Sequence, residues 1–217
     1  MRKFALTLSA AILFSATPLS AGAVTYDFTD ENKYDVGDLS DSLIVGGSSV
    51  SATLSGSGTL SFTNFDGGAL VAPPLALDHD GVGVGDDEIS VGSEYIDVTF
   101  SETVAVTGFH FLDLFKSNLN TDAEVAEVWL GGVLTYSFTA DLLFQQMGGY
   151  SFAAVSPFLA DMLRFTAGVG NDGVGVADYA LAGIDVQAVP LPAAIWLLLS
   201  ALGGLGLVSR RRTAVPA

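Results

Sequence analysis

Between residues 24 and 188, apolar and polar positions alternate over short runs, and no segment keeps the 3.6-residue spacing of a long amphipathic helix. In GTLSFTNF, Leu60, Phe62 and Asn64 fall on one face, with Thr59, Ser61 and Thr63 on the other. EYIDVTFS sets Tyr95, Asp97 and Thr99 against Ile96, Val98 and Phe100. Successive side chains of a strand point to opposite faces, so each run predicts a strand with one buried face. ETVAVTGFHFLDLF is rich in β-branched and aromatic residues, which suit a strand. AEVWLGGVLTYSF reads as two strands joined by Gly131-Gly132, a two-residue hairpin turn, and YALAGIDVQAV as a last strand. VSPFLADMLRF has room for one helical turn, and the acid-rich DFTDENKYDVGDLSDSL has no clear period and predicts a loop or weak strands. Turn residues at Gly46-Gly47, Gly67-Gly68, Pro73-Pro74 and Gly148-Gly149 punctuate the rest. The spacing predicts about nine or ten short strands in one all-β domain, a jelly-roll-like β-sandwich over residues 24–188.

Both ends break this pattern. MRKFALTLSAAILFSATPLSAGA begins with Arg2 and Lys3, continues with an apolar run from Phe4 to Phe14, and is broken by Pro18. Ala21-Gly22-Ala23 has the small-x-small form read by signal peptidase, so residues 1–23 are expected to be a signal peptide, cleaved after Ala23. The apolar run is short for a bilayer core of about 30 Å, which favours cleavage over a retained anchor. Near the other end, residues 193–209 carry no charge and predict a transmembrane helix. Trp196 sits near one boundary, at headgroup level, and Arg210, Arg211 and Arg212 follow at once. Arginines stay on the cytoplasmic side, so the body is expected outside, the orientation that the leader also implies.

Directly before that helix stands Val189-Pro190-Leu191-Pro192-Ala193. The two prolines exclude regular helix there and present an extended segment of the kind a protease cleft takes. Motif, apolar helix and basic cluster in this order resemble the VPLPA-type PEP-CTERM sorting signals of Gram-negative bacteria, over residues 189–212, with 213–217 a short tail. The resemblance implies processing by exosortase, a membrane-embedded cysteine protease. It also implies an exported protein at the cell surface or beyond it, linked with exopolysaccharide and biofilm matrix. The body is similar to β-rich ectodomains found before such tails, where a loop like GVGVGDDEI precedes a strand and a DDYALAGIDV-like segment ends the domain. Here Ala177-Asp178-Tyr179 lacks the first of the two Asp. A helix that is not cut would leave a plain membrane-anchored domain instead.

Charge sharpens the picture. All 24 acidic residues lie between Asp27 and Asp185, opposed there only by Lys33, Lys116 and Arg164. Such a field repels nucleic acid and anionic lipid, excludes polyphosphate partners, and favours solubility and cations. No cysteine is present, which removes thiol nucleophiles, Cys-ligated zinc and disulfides; a body of this length buries a core without them.

One short sequence occurs twice, as DGVGVGD from Asp80 and DGVGVAD from Asp172. The first copy is extended to DHDGVGVGDDEIS, with Asp78, Asp80, Asp86, Asp87 and Glu88 close together. Flexible Asp-rich loops supply the oxygen ligands that Ca²⁺ takes, so a calcium site is one reading, and a solvated glycine loop capping a strand is the other. An EF-hand begun at Asp78 fails, because Val82 and Ile89 stand at its fifth and twelfth positions. The spacing also lacks the stacked repeats of nonapeptide calcium solenoids.

For catalysis the signals are weak. GxSxG, HExxH, P-loop and helix-opening GxGxxG patterns are all missing, and no catalytic residue is assigned. The two histidines are His79, between two Asp in a loop, and His110, in a predicted strand. A structural or glycan-binding role in an extracellular polysaccharide matrix fits better than a secreted hydrolase, with Trp129, Tyr136, Tyr150 and Phe152 as candidates for stacking on sugars.

Overall fold

The computed structural model describes residues 22–33, 40–65, 75–117, 122–141, 147–170, 176–187 and 189. All belong to one compact unit, Ala21–Val189. Of the predicted export elements, Ala23 and Val189 are described and exposed. Residues 1–21 of the leader, Pro190 to Ala193, the helix expected at 193–209 and the three arginines lie outside the described residues. Among the described residues no helix is long and apolar enough to cross a membrane.

The described part is all-β, with no α-helix. Its strands are β1 (Val24–Asp27), β2 (Ser40–Val45), β3 (Ser48–Gly56), β4 (Leu60–Ser61), β5 (Gly83–Val84), β6 (Ile96–Leu112), β7 (Val125–Leu130), β8 (Val133–Thr139), β9 (Ser151–Ala167) and β10 (Ala180–Gln187). The only helical feature among these residues is a 3₁₀ turn, Met147–Gly149. One sheet runs in the order β1-β10-β6-β9-β7-β8, with β3 also on β6 and β2 on β3, and all of its pairings are antiparallel. A small separate sheet pairs β4 with β5.

The two 17-residue strands, β6 and β9, organise the unit. They pair from Ile96↔Phe165 to Phe111↔Ser151, with register shifts between Thr99 and Val104 and between Val106 and Gly108. The front part of β6 takes β3 as its other neighbour, and the rear part takes β10. Bulges bend a strand and increase its local twist. Ile96, Val98 and Phe100 from the front and Phe109 and Phe111 from the rear thereby enter a single core with Leu163, Phe165, Ile184 and Val186. The helical turn expected in VSPFLADMLRF is not formed, because this segment is strand β9. Its Pro157 falls in the irregular stretch between Ala154↔Gly108 and Phe158↔Val106, where a missing N–H costs the ladder nothing.

Burial follows the pattern read from the sequence. The front of β6 alternates buried and exposed positions, whereas Gly108 to Leu112 are buried throughout. The reason is a second layer of cover: Leu112, Ala180 and Ala182 turn to the other face of the sheet and meet Phe65, Leu75, Leu77 and Tyr150. The hairpin at Gly131-Gly132 forms as expected, with φ of 59° and 79°, the left-handed pair that a two-residue turn needs and that glycine adopts without strain.

At the centre of the main core, Phe109 has no exposed surface and meets the rings of Phe111, Tyr136, Phe138, Phe158 and Phe165 at centroid distances of 5.7 to 6.4 Å. Phe109→Ala should destabilise the domain by about 3–5 kcal/mol through lost contact and the cavity left behind, read as a lower denaturant midpoint at unchanged slope.

Candidate functional site

Opposed residues in antiparallel strands share a face of the sheet. Following the register from strand to strand, Ser55 on β3 faces Asp97 on β6, Asp97 faces Arg164 on β9, Arg164 faces Trp129 on β7, and Trp129 faces Leu134 on β8. These five positions form one row across five strands. A register shift between Val128 and Trp129 brings Leu134 opposite the indole.

The polar members of the row are fixed by their neighbours. Arg164 donates from Nε to Asp97 Oδ1 at 2.7 Å and from Nη2 to Asp97 Oδ2 at 2.8 Å, the two-pronged geometry that suits guanidinium and carboxylate. Its Cζ lies 3.8 Å from the centroid of the Tyr95 ring, so the guanidinium is held on an aromatic face as well. The hydrogen bonds to Asp97 hold the Arg164 side chain protonated more firmly than usual. Trp129 Nε1–H donates to Thr166 Oγ1 at 2.9 Å, and the Thr166 hydroxyl donates to Glu127 Oε2 at 3.1 Å, which fixes the indole plane. Trp129, Gly131, Gly132, Met162, Arg164 and Thr166 line an open cavity of about 430 Å³. Leu134 and Met162 are exposed beside it.

The other aromatic candidates lie elsewhere. Tyr136 points into the core, 5.2 Å from the Phe158 ring. Tyr150 and Phe152 lie against His110, which is 2 % exposed. His110 Nδ1 and the Tyr150 hydroxyl are 2.9 Å apart, and His110 Nε2 is 3.1 Å from Asp185 Oδ1, which also accepts from Thr25 Oγ1 at 2.5 Å. Burial acts to raise the Asp185 carboxyl, but the hydrogen bonds from His110 and Thr25 outweigh it and hold the group below the usual carboxylate range. With Asp185 ionised, Nε2 donates to it, and Nδ1 pairs with the Tyr150 hydroxyl. Both ring nitrogens are therefore used within the fold, and His110 is a satisfied structural histidine. The other histidine, His79, lies against Phe62, with ring centroids 4.3 Å apart and planes tilted by 36°.

The acidic loop is brought together in part. Val82 exchanges backbone hydrogen bonds with Leu181, and the Ile89 and Val91 amides donate to the Tyr179 and Ala177 carbonyls. The first copy of the repeated sequence thus lies beside Ala177 and Asp178 of the second; Asp172 lies outside the described residues. A Cβ at Gly83 would stand 1.9 Å from the Asp87 carbonyl carbon, so only glycine lets the loop fold back there. Thr63 Oγ1 donates to Asp87 Oδ2 and lies 3.2 Å from Asp80 Oδ2, while Asp78 accepts from the Glu31 amide. Burial pushes the Glu88 carboxyl up, and Asp178, Asp87 and Asp86 push it further, to about 8. Among the described residues no group of three or more His, Cys, Asp or Glu side chains is arranged to hold a metal ion.

Sequence reasoning had singled out Trp129 but missed Tyr95, Asp97, Glu127, Arg164 and Thr166 as its partners. Arg164 and Asp97 are 67 residues apart, and only the β6–β9 register joins them. The one available signal was that Arg164 is among just three basic residues of an acidic body.

No protein-family model matches the chain, and no curated protein matches it. Among solved structures it is similar to the crystal structure of Agl-KA catalytic domain, at 13 % identity and a TM-score of 0.42, over 83 % of this chain and 30 % of that one. The chain thus spans less than a third of that structure's length.

Glu88 generates a pH prediction. Its folded value of about 8 exceeds the ordinary 4.5, so the folded state keeps a proton that the unfolded chain releases. The stability that this proton brings is complete below pH 4.5 and is lost as pH rises through about 8. The melting temperature should therefore fall between about pH 5 and about pH 9, and Glu88→Gln, which keeps a neutral hydrogen-bonding group, should fall less over the same range.

Proposed function

We propose that this chain is an exported cell-surface or extracellular protein whose β domain, a jelly-roll-like sandwich, binds glycan within an exopolysaccharide matrix. The observation that carries the glycan reading is the row of Trp129, Arg164 and Asp97 on an open sheet face, with its indole and guanidinium planes held by hydrogen bonds and by Tyr95. A sugar ring offers an apolar C–H face for an aromatic ring and hydroxyls for carboxylate and guanidinium groups. A face whose side chains are already fixed loses little conformational entropy on binding. Binding sites gain their specificity from a few placed polar groups beside aromatic surface, the composition found around Trp129.

The export part of the proposal rests on sequence. The leader, with Ala21 and Ala23 for signal peptidase, the Val189-Pro190-Leu191-Pro192-Ala193 motif, the apolar run and Arg210 to Arg212 support secretion, transient membrane anchoring and release by exosortase. The binding role is preferred to hydrolysis because the fixed aromatic and polar groups beside Trp129 suit recognition of a sugar face.

Two measurements test this. The intact mass of the exported protein should correspond to loss of residues 1–23 and of the C-terminal helix; a mass that still includes Trp196 and Arg212 would leave a permanent anchor in place of a sorting signal. In pull-downs on a panel of insoluble polysaccharides, full-length chain in mild detergent should be retained, and Trp129→Ala should weaken retention about thirtyfold, as expected for a central aromatic anchor. Retention unaffected by Trp129→Ala would remove this face from the proposal.

A further inference from the structure

We propose that Asp97 sets the charge selectivity of this face, so that it takes neutral, hydroxyl-rich polysaccharide and rejects polyuronates; the inference rests on the glycan reading above. An arginine on an open sheet face would ordinarily recruit carboxylates, since its planar fork matches them. Here that fork is already filled. Arg164 gives Nε and Nη2 to the two oxygens of Asp97, at 2.7 and 2.8 Å, and Tyr95 covers one face of the guanidinium. The pair is neutral overall, and its remaining N–H groups can still donate to hydroxyl oxygens.

The rest of the site points the same way. Glu127 lies behind Thr166 and adds a carboxylate to the Trp129 end of the row, and among the described residues Arg164 is the one cation on the cavity wall. A ligand carboxylate placed there would have the carboxylates of Asp97 and Glu127 directly behind Arg164 and Thr166, with the Arg164 fork already paired to Asp97. Like charges brought together at an interface oppose binding, whereas hydroxyl groups would find acceptors in both carboxylates. The field of the whole domain adds to this, with Lys33 and Lys116 the other basic residues among its 24 acids. Lys33 stands 3.8 Å from Asp30 and 3.9 Å from Asp41, so it too is matched. The row crosses five strands at about 4.8 Å spacing, roughly 19 Å, a length suited to several linked sugars lying across the strands.

The test is affinity electrophoresis of the full-length chain in mild detergent, in gels containing either hydroxyethylcellulose, a neutral glucan derivative, or alginate, a polyuronate. A salt concentration of about 0.15 M screens charges beyond about 8 Å and leaves the local ones to decide. The wild-type chain should bind the neutral polymer at least about tenfold better than alginate. Asp97→Asn keeps the shape of the side chain but frees the guanidinium, and should raise the alginate-to-neutral ratio by about tenfold or more. Adding Arg164→Gln to Asp97→Asn should return that ratio to the wild-type value. Melting temperatures of the variants check that they fold; if Asp97→Asn does not, Arg164→Gln, which removes the other half of the pair, should leave the alginate-to-neutral ratio within about twofold of wild type, and a larger fall in alginate binding would show that the guanidinium was recruiting carboxylates and overturn the inference. A wild-type preference for alginate, or a ratio unmoved by Asp97→Asn in a folded protein, overturns the inference and leaves glycan binding standing. Retention on neither polymer overturns the glycan reading itself.

Discussion

The long antiparallel pairing of β6 with β9 is the constraint from which the rest follows. Seventeen residues on each side run together, interrupted by register shifts where the strands bend. A straight pair of this length would expose one face of its front part and one face of its rear part to separate surroundings. The bends instead let Ile96, Val98 and Phe100 share a core with Phe109 and Phe111. Every other large strand is attached to this pair: β3 and β10 flank β6 in succession, β7 joins the end of β9, and β1, β2 and β8 add outside them.

The row around Trp129 exists only because of that register. Asp97 and Arg164 meet as directly opposed residues of β6 and β9, and Trp129 follows from the pairing of β9 with β7. Each planar group is then locked by a second contact, Tyr95 against the guanidinium and Thr166 against the indole nitrogen. The same sheet sustains a different chemistry at its other end, where Thr25, Asp185, His110 and Tyr150 form a closed hydrogen-bonded line under Phe152. Gly108 makes room for that arrangement, since a Cβ there would meet Phe152 at 2.8 Å and the Asp185 carboxylate at 3.1 Å. One set of polar groups faces the cavity beside Trp129, and in the other the polar groups pair with one another.

Much of this architecture was legible from residue alternation. EYIDVTFS, AEVWLGGVLTYSF and YALAGIDVQAV became strands because a period of two, β-branched residues and a Gly-Gly turn all favour the same local geometry. VSPFLADMLRF was harder, since Pro157 looks like a break and becomes a bulge only against the correct partner. The contents of the candidate site were mostly invisible. Tyr95 and Asp97 sit on one face of a readable strand, but nothing local identifies Arg164 as their partner. The repeated Gly/Asp sequence did carry spatial information: the loop of its first copy lies beside Ala177 and Asp178 at the end of the second, and Glu88, just after the first copy, has its carboxyl raised by burial and then by Asp178. Sequence could place those acids in one chemical class, but not say that burial would make Glu88 hold its proton.

The hairpin that carries the indole has a further consequence. Among the described residues β8 is matched on one flank alone, and VLTYSFT contains no lysine, proline or acid to discourage a newcomer. Native sheets commonly blunt such borders with charge or kinks. Here the uncharged border adjoins Val133 and Leu134, both exposed, while the surrounding domain is strongly anionic. Repulsion between such anionic domains acts against the pairing of like borders, and it weakens as ionic strength rises. Salt or divalent cations that weaken that repulsion would bring chains within reach of strand-to-strand annealing, making the solution's counterions a control on self-association.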